Sequence, residues 1–208
     1  MAYYVKVFMV IAALSSIYES VYGQSVGYGS CPDVTVLSNF DPSKYTGRWY
    51  EAERMFNKQE VGGSCVTSDY AVEKDSLFRN TGNLFVTNTM KDRNGIVSSI
   101  SGKAVPLDES SSEAKYVLSY DGNLSGGTYW VLDTDYNNYS VVYSCNSIGP
   151  VLNMKYVWLF TREPEAPQYI LDYMKSFLKE KGLSSILLGK TNQENCNYPI
   201  SAYVPIYT

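Results

Sequence analysis

Eight short β-like segments joined by hairpin-type turns constrain this sequence more than any other feature. Between residues 47 and 162, runs rich in β-branched and aromatic residues alternate with turn signals, of which Asn94-Gly95 is the strongest. Consecutive hairpins give an antiparallel up-and-down sheet, and eight strands suffice to close a barrel around one small ligand. The runs cover residues 47–56, 65–73, 83–90, 95–105, 114–120, 128–134, 138–145 and 153–161.

One amphipathic helix is predicted after the eighth strand, over residues 166–181. Pro167 suits its first turn, and Gly182 suits its C-terminal cap. The apolar face consists of Ile170, Leu171, Met174, Phe177 and Leu178. The predicted fold is therefore all-β, an eight-stranded antiparallel barrel with one C-terminal α-helix packed outside. A C-terminal arm follows over residues 183–208, and its Pro-punctuated end could wrap the barrel or form an interface.

The N-terminal segment has the pattern of a secretory signal. One early lysine precedes an apolar run from Val7 to Leu14, and short residues then lead to Gly23. The run is far shorter than the roughly 20 residues that a membrane span needs. We therefore expect a signal peptide over residues 1–23, a single secreted domain over residues 24–208, and no membrane span.

Four widely spaced cysteines remain after the predicted cleavage: Cys31, Cys65, Cys145 and Cys196. An even number in an exported protein predicts two disulfides, for which three pairings are open. Their spacing excludes a CxxC redox or zinc motif. Asn123 and Asn138 begin Asn-X-Ser sequons and are predicted glycosylation sites.

The composition narrows the function classes. The chain has no histidine, which removes Ser-His-Asp and Cys-His catalysis, His-ligated zinc and haem held by a proximal histidine. A net charge of -4 argues against a nucleic-acid partner, which needs a basic face. Its 20 tyrosines suit strands, pockets and interfaces, because each combines apolar area with a hydroxyl group.

Three short motifs, in order along the chain, resemble the signatures of the lipocalin family: "GRWY" from Gly47, "TDYNNY" from Thr134 and "TRE" around Arg162. The resemblance covers nearly all of the predicted mature chain. It implies that Trp49 closes the barrel floor and that Arg162 stacks on it in a cation–π contact. Both residues would then be structural.

The segments "CPDV", "FDPSKYTGRWYE" and "TDYNNYSVVYSC", together with the C-terminal Cys196, are similar to the subgroup of apolipoprotein D and the insect bilin-binding proteins. This similarity implies the disulfides Cys31–Cys145 and Cys65–Cys196. It also implies a secreted carrier that holds a conjugated hydrophobic molecule non-covalently, above all a bilin such as biliverdin. The alternative is an apolipoprotein D-like carrier of fatty acid, sterol, retinoid or carotenoid.

Two further function classes are open to such a chain. A few lipocalins are prostaglandin isomerases that use a free pocket thiol, but here all four cysteines are expected in disulfides, so we expect no enzyme and no metal site. The other class is an interaction protein whose Tyr-rich surface and tail form homo-oligomers.

The expected pocket contains carboxylates. Alternation from Trp49 directs Glu51 and Glu53 inward unless a bulge breaks the phase. Either a bulge or nearby Arg and Lys residues neutralise both, with Glu51 hydrogen-bonded to backbone, or Glu53 accepts hydrogen bonds from ligand N–H groups. Four further ligand contacts match positions of bilin-binding relatives: Asn57, Asn88, Met90 and Ile100. Alternation adds Leu118, Tyr120, Tyr129, Met154, Tyr156 and Trp158.

Overall fold

The computed structural model describes residues 25–121, 127–185 and 187–200. These residues include two helices, α1 (Pro42–Tyr45) and α2 (Gln168–Glu180), together with a 3₁₀ turn at Lys58–Glu60. The strands are β1 (Ser25–Tyr28), β2 (Gly47–Met55), β3 (Ser64–Lys74), β4 (Asn80–Lys91), β5 (Val97–Pro106), β6 (Lys115–Tyr120), β7 (Gly127–Thr134), β8 (Tyr139–Ile148), β9 (Leu152–Thr161) and β10 (Leu188–Lys190).

The eight strands β2 to β9 form a closed antiparallel barrel. Each strand pairs with the next, and β9 pairs back with β2, so that the sheet has no free edge between its first and last strand. The predicted all-β barrel is therefore confirmed. Two short strands were not predicted: β1 adds to β9, and β10 adds to β2.

A β-bulge in β2 reverses the direction of its side chains. Glu51 lies opposite Phe160 of β9, and Glu53 lies opposite its neighbour Leu159, which leaves Ala52 as an extra residue. Residues before the bulge keep the alternation that starts at the floor, whereas those after it have the opposite phase. The bulge therefore corrects the expectation that Glu51 and Glu53 share one face.

The closed end of the barrel is organised around Trp49, which is fully buried. The guanidinium carbon of Arg162 lies 3.7 Å from the ring centroid of Trp49, so the stack implied by the resemblance is present. Arg162 also donates to the carbonyl oxygens of Tyr136 at 2.9 Å and Arg48 at 2.8 Å. The indole nitrogen of Trp49 donates to the carbonyl of Tyr45 at 3.0 Å. The planar guanidinium thus covers the ring and fixes the backbone around it.

Helix α1 brings Tyr45 to this floor. The sequence "DPSKY" carries a start signal that the strand analysis passed over, since Asp41 caps the helix by accepting from the backbone nitrogen of Ser43 at 3.0 Å. Pro42 occupies the first turn, where its missing N–H is harmless.

Helix α2 covers the outside of the barrel. Its buried residues are Ile170, Leu171, Met174 and Leu178, and they pack against outward-facing apolar side chains of the strands, including Met55 and Leu159. This agrees with the predicted apolar face, except that Phe177 is only partly buried. Among the residues that the structure describes, no helix is long and apolar enough to cross a membrane.

Two disulfides attach the terminal segments to the barrel wall. They are Cys31–Cys145 and Cys65–Cys196, the pairing implied by the resemblance. In the C-terminal arm, Gln193 donates from its amide nitrogen to the backbone oxygens of Glu51 at 2.9 Å and Val66 at 2.8 Å. The arm up to residue 200 therefore lies along the barrel.

Replacing Trp49 by alanine should lower the free energy of unfolding by about 3–5 kcal/mol, because a large buried aromatic is lost and Arg162 loses its stacking partner. Urea denaturation measures this difference. Trp130→Ala is the matched control, since that ring is only partly buried on the outer wall, and it should cost clearly less. Equal losses in the two variants would contradict the placement of the floor.

Candidate ligand-binding site

The barrel encloses a cavity of about 790 Å³, which is within the usual range for small-molecule sites. Tyr70 and Tyr129, whose hydroxyl groups are 2.9 Å apart, belong to the aromatic cluster of the closed end and also line the cavity. The turn that contains Lys58 and Glu60 contributes to the lining as well, and every strand from β2 to β9 supplies at least one residue.

Most of the predicted ligand contacts meet in this cavity. The lining includes Asn57, Asn88, Met90, Ile100, Leu118, Tyr120, Tyr129, Tyr156 and Trp158. Met154 and Glu53 are not part of it. Met154 keeps the alternation of Tyr156 but lies further along β9, where it pairs with Val26 of β1. On β9, period-two alternation gives the inner face but not the depth at which the cavity ends.

Glu53 lies on the outer side of the barrel. Its Oε1 atom accepts from the Nζ atom of Lys175 on α2 at 2.7 Å, and the side chain is buried between strand and helix. The bulge at Ala52 is the physical reason, because it turns Glu53 away from the cavity. The expectation that Glu53 contacts a ligand is therefore corrected. Lys175 neutralises its carboxylate, in agreement with the alternative that a bulge or nearby Arg and Lys residues do so.

Glu51 does line the cavity, and it is held by side chains. It is 1% exposed, and it accepts hydrogen bonds from the guanidinium of Arg54 and the hydroxyl of Thr191. Arg54 also donates to Thr191 Oγ1 at 3.0 Å. Burial, together with the nearby charge of Glu60, raises the pKa of Glu51 to about 7. The expected backbone partner for its carboxylate is replaced by these two side chains.

Glu60 is a second carboxylate of the cavity, and the sequence analysis missed it. Its Oε2 atom accepts from Asn57 Nδ2 at 2.9 Å and from Trp158 Nε1 at 3.3 Å, and it lies 3.7 Å from Arg54 Nε. Burial raises the pKa of this carboxyl. Glu60 belongs to a turn, where strand alternation carries no information. The available signal was Asn57, which caps that turn by accepting from the backbone nitrogen of Gln59 at 3.1 Å.

An aromatic pair forms the β9 wall of the cavity. The rings of Tyr156 and Trp158 are stacked with centroids 5.9 Å apart and an interplanar angle of 23°. Met90, Ile100 and Leu118 add apolar surface from other strands. A flat ligand would therefore contact an apolar, aromatic surface on one side, and the carboxylates of Glu51 and Glu60 line the same cavity.

Several further expectations concern modification and metal. All four cysteines form disulfides, so the cavity contains no thiol. Within the described residues, no group of three His, Cys, Asp or Glu is placed to hold a metal ion. Asn138 is exposed, and its amide nitrogen donates to Asp135 Oδ2 at 2.6 Å. Asn123 and the predicted signal peptide lie outside the described residues.

Replacing Glu51 by glutamine should change how stability depends on pH. Because the pKa of Glu51 rises from 4.5 to about 7 on folding, the folded protein keeps a proton that the unfolded chain releases between these values. This carboxyl therefore lowers the free energy of unfolding progressively as the pH rises from 4.5 to about 7. Glutamine has no such proton, so Glu51→Gln should gain stability over the parent across this range, by roughly 3 kcal/mol in all.

Urea denaturation of both proteins at a series of pH values measures that difference. A constant difference across the range would contradict the raised pKa of Glu51.

Comparison with known proteins places this barrel in a family. Residues 46–193 match the model of the lipocalin / cytosolic fatty-acid binding protein family. Apolipoprotein D of Bos taurus is 33% identical over 192 residues, covering 92% of this chain and 97% of that protein. Lazarillo protein of Schistocerca americana is 31% identical over 166 residues, covering 78% of this chain and 74% of that protein.

The fold is also shared with a solved structure. Insecticyanin from the tobacco hornworm Manduca sexta superposes with a TM-score of 0.69 at 21% sequence identity, over 82% of this chain and 89% of that one. The family match, the relatives and the closed barrel around a cavity agree. The chain belongs to the lipocalin family and has the architecture of a carrier of small hydrophobic molecules.

Proposed function

We propose that this lipocalin is a secreted carrier of a bilin such as biliverdin, held non-covalently in the barrel. The observation that carries the proposal is the position of the partly buried Glu60 carboxylate, which is hydrogen-bonded to Trp158 of the stacked pair Tyr156–Trp158. A bilin offers both of the features that this arrangement suits, namely a flat conjugated surface and several pyrrole N–H groups.

The charges of the cavity support the same ligand. Glu51 and Glu60 share Arg54, and Lys58, a further cation on the lining, is exposed. Pyrrole N–H groups would donate to the carboxylates in the interior, where hydrogen bonds to a charged acceptor are stronger than in water. The propionate groups of a bilin would lie toward Lys58.

The cysteines support both non-covalent binding and export. With every cysteine in a disulfide, no thiol is available to form a thioether with a pigment or to act as the nucleophile of an isomerase. Two structural disulfides are typical of proteins that fold in an oxidising compartment, in agreement with the predicted signal peptide and secretion.

A carrier of fatty acid, sterol, retinoid or carotenoid is the second candidate. It is favoured by the similarity to apolipoprotein D, which extends over 92% of this chain. The cavity argues against a fatty acid that binds with its carboxylate in the interior, because that group would meet Glu51 and Glu60. An uncharged sterol or retinol would avoid this repulsion but would offer one hydroxyl donor to the two acceptors.

Titration with biliverdin tests the proposal. We expect a near-ultraviolet band and a broad red band that elute with the protein in gel filtration, because the barrel would hold the pigment tightly. A fluorescent fatty acid and retinol are the comparison ligands. Binding of those two without any binding of biliverdin would overturn the bilin proposal in favour of a lipid carrier.

Two glutamate variants test the role of the Glu60 carboxylate. Glu60→Gln should weaken biliverdin binding about tenfold, since a hydrogen bond to a charged acceptor becomes one to a neutral acceptor. Glu53→Gln is the matched control, because Glu53 ion-pairs with Lys175 outside the cavity, and its biliverdin affinity should equal that of the parent. The same affinity in both variants would contradict a ligand contact at Glu60.

A further inference from the structure

We propose that Asn88 and Tyr120 form a hydrogen-bonding site for a neutral cyclic amide, that is, for a lactam group of the ligand. The inference rests on the proposed function and deepens it, because a bilin carries a lactam in each of its terminal rings. It assigns a position within the cavity where one of those rings would bind.

The two side chains offer one acceptor and one donor next to each other. Asn88 Nδ2 donates to the hydroxyl oxygen of Tyr120 at 2.9 Å. The other amide atom, Oδ1 of Asn88, is buried and has no hydrogen-bond partner in the described part of the chain. The Tyr120 hydroxyl accepts from Asn88, and a phenol that accepts one hydrogen bond still has its own proton to donate. A buried acceptor without a partner is costly, so a ligand donor at this point would be favoured.

A glycine lets the pair form across an intervening strand. Asn88 is on β4 and Tyr120 is on β6, and β5 lies between them, with Ile100 opposite Asn88 and Gly102 opposite Tyr120. A Cβ atom at position 102 would be 2.9 Å from Cδ1 of Tyr120 and 2.3 Å from the backbone oxygen of Ser119. Gly102 therefore leaves the space in which the Tyr120 ring lies across β5 toward Asn88.

The Tyr120 hydroxyl is protonated and can donate a hydrogen bond. Burial, and after it the negative charge of Glu60, raise the pKa of Tyr120 to about 12. The phenol thus keeps its proton at neutral pH. The same negative charge disfavours a carboxylate ligand at this point, and a carboxylate would also have no proton to donate to Asn88 Oδ1.

The shape of the site selects a particular kind of amide. In a cyclic amide the N–H and C=O groups point to the same side, whereas an open-chain trans amide directs them to opposite sides. A lactam can therefore donate to Asn88 Oδ1 and accept from the Tyr120 hydroxyl at the same time. Both side chains line the cavity, as does Glu60.

A pair of matched probes tests this site. The first probe is a dipyrrinone methyl ester, which is half of a bilin with one lactam. The second is its O-methyl lactim ether, which has the same conjugated rings but no amide N–H. Quenching of tryptophan fluorescence measures both affinities. We expect the lactim ether to bind the parent protein about tenfold more weakly, the loss of roughly one to two hydrogen bonds.

Variants of the pair should remove this preference. In Asn88→Leu and in Tyr120→Phe, the dipyrrinone should bind about as weakly as its lactim ether, and the double variant should lose little more than either single variant, because the residues act on one group. Tyr116→Phe is the matched control. It is on the same strand and face, but its hydroxyl is directed to the backbone oxygen of Gly82, 3.4 Å away, and not to the cavity. It should retain the full preference.

The outcomes separate the two proposals. If the parent protein binds biliverdin, and if it binds the dipyrrinone and its lactim ether with the same affinity, the lactam site is overturned while the bilin carrier stands. If it binds neither biliverdin nor the dipyrrinone but binds retinol or a fatty acid, both proposals fail. A preference for the lactam that persists in Asn88→Leu and Tyr120→Phe would overturn the assignment of these two residues.

Discussion

The bulge at Ala52 allows the first barrel strand, β2, to place side chains of one short segment both in the cavity and against α2. On the floor side of this bulge, β2 directs Trp49 and Glu51 into the barrel. Beyond it, Arg54 turns inward to Glu51, while Glu53 turns outward to α2. The two acidic side chains of one short segment are thereby neutralised by different cations on different faces of the sheet. Without this reversal, both carboxylates would face the interior, whereas Arg54 would face the outside of the barrel.

The charged cluster inside the barrel consists of Glu51, Arg54 and Glu60. Its main effect is on which ligands the cavity favours, and it adds little to stability. Removing carboxylates from water is expensive, and a buried ion pair regains only part of that cost. Glu51 shows the effect directly, since its pKa rises despite two donors on its oxygen atoms. Such a cavity disfavours guests that place an anionic group beside Glu51 and Glu60 and favours guests that place hydrogen-bond donors there.

The strands and the barrel were predictable because their signal is local. Alternation places Leu118, Tyr129 and Trp158 on the inner face, and all three line the cavity. The register of Glu53 was not predictable, because a bulge is set by pairing with β9 and leaves no mark in the alternation of one strand. Glu60 was missed for another reason: it lies in a turn, and its partner Trp158 is 98 residues away along the chain. Local patterns thus predicted the residues of the cavity wall. The positions of the charged groups depend on contacts between segments that are distant along the chain.

The short strand β10 has a consequence for the behaviour of this protein in concentrated solution. β3 pairs with β2 only from Gly47 to Tyr50, and β10 pairs with the same strand from Glu53 to Met55. On the side of β2 that faces away from β9, its last residues therefore pair, within the described part of the chain, only with the C-terminal arm. If the arm detached, the bared N–H and C=O groups could pair with a strand of another molecule. The disulfide between Cys65 and Cys196 keeps the arm beside that strand and so protects the barrel against self-association through its edge.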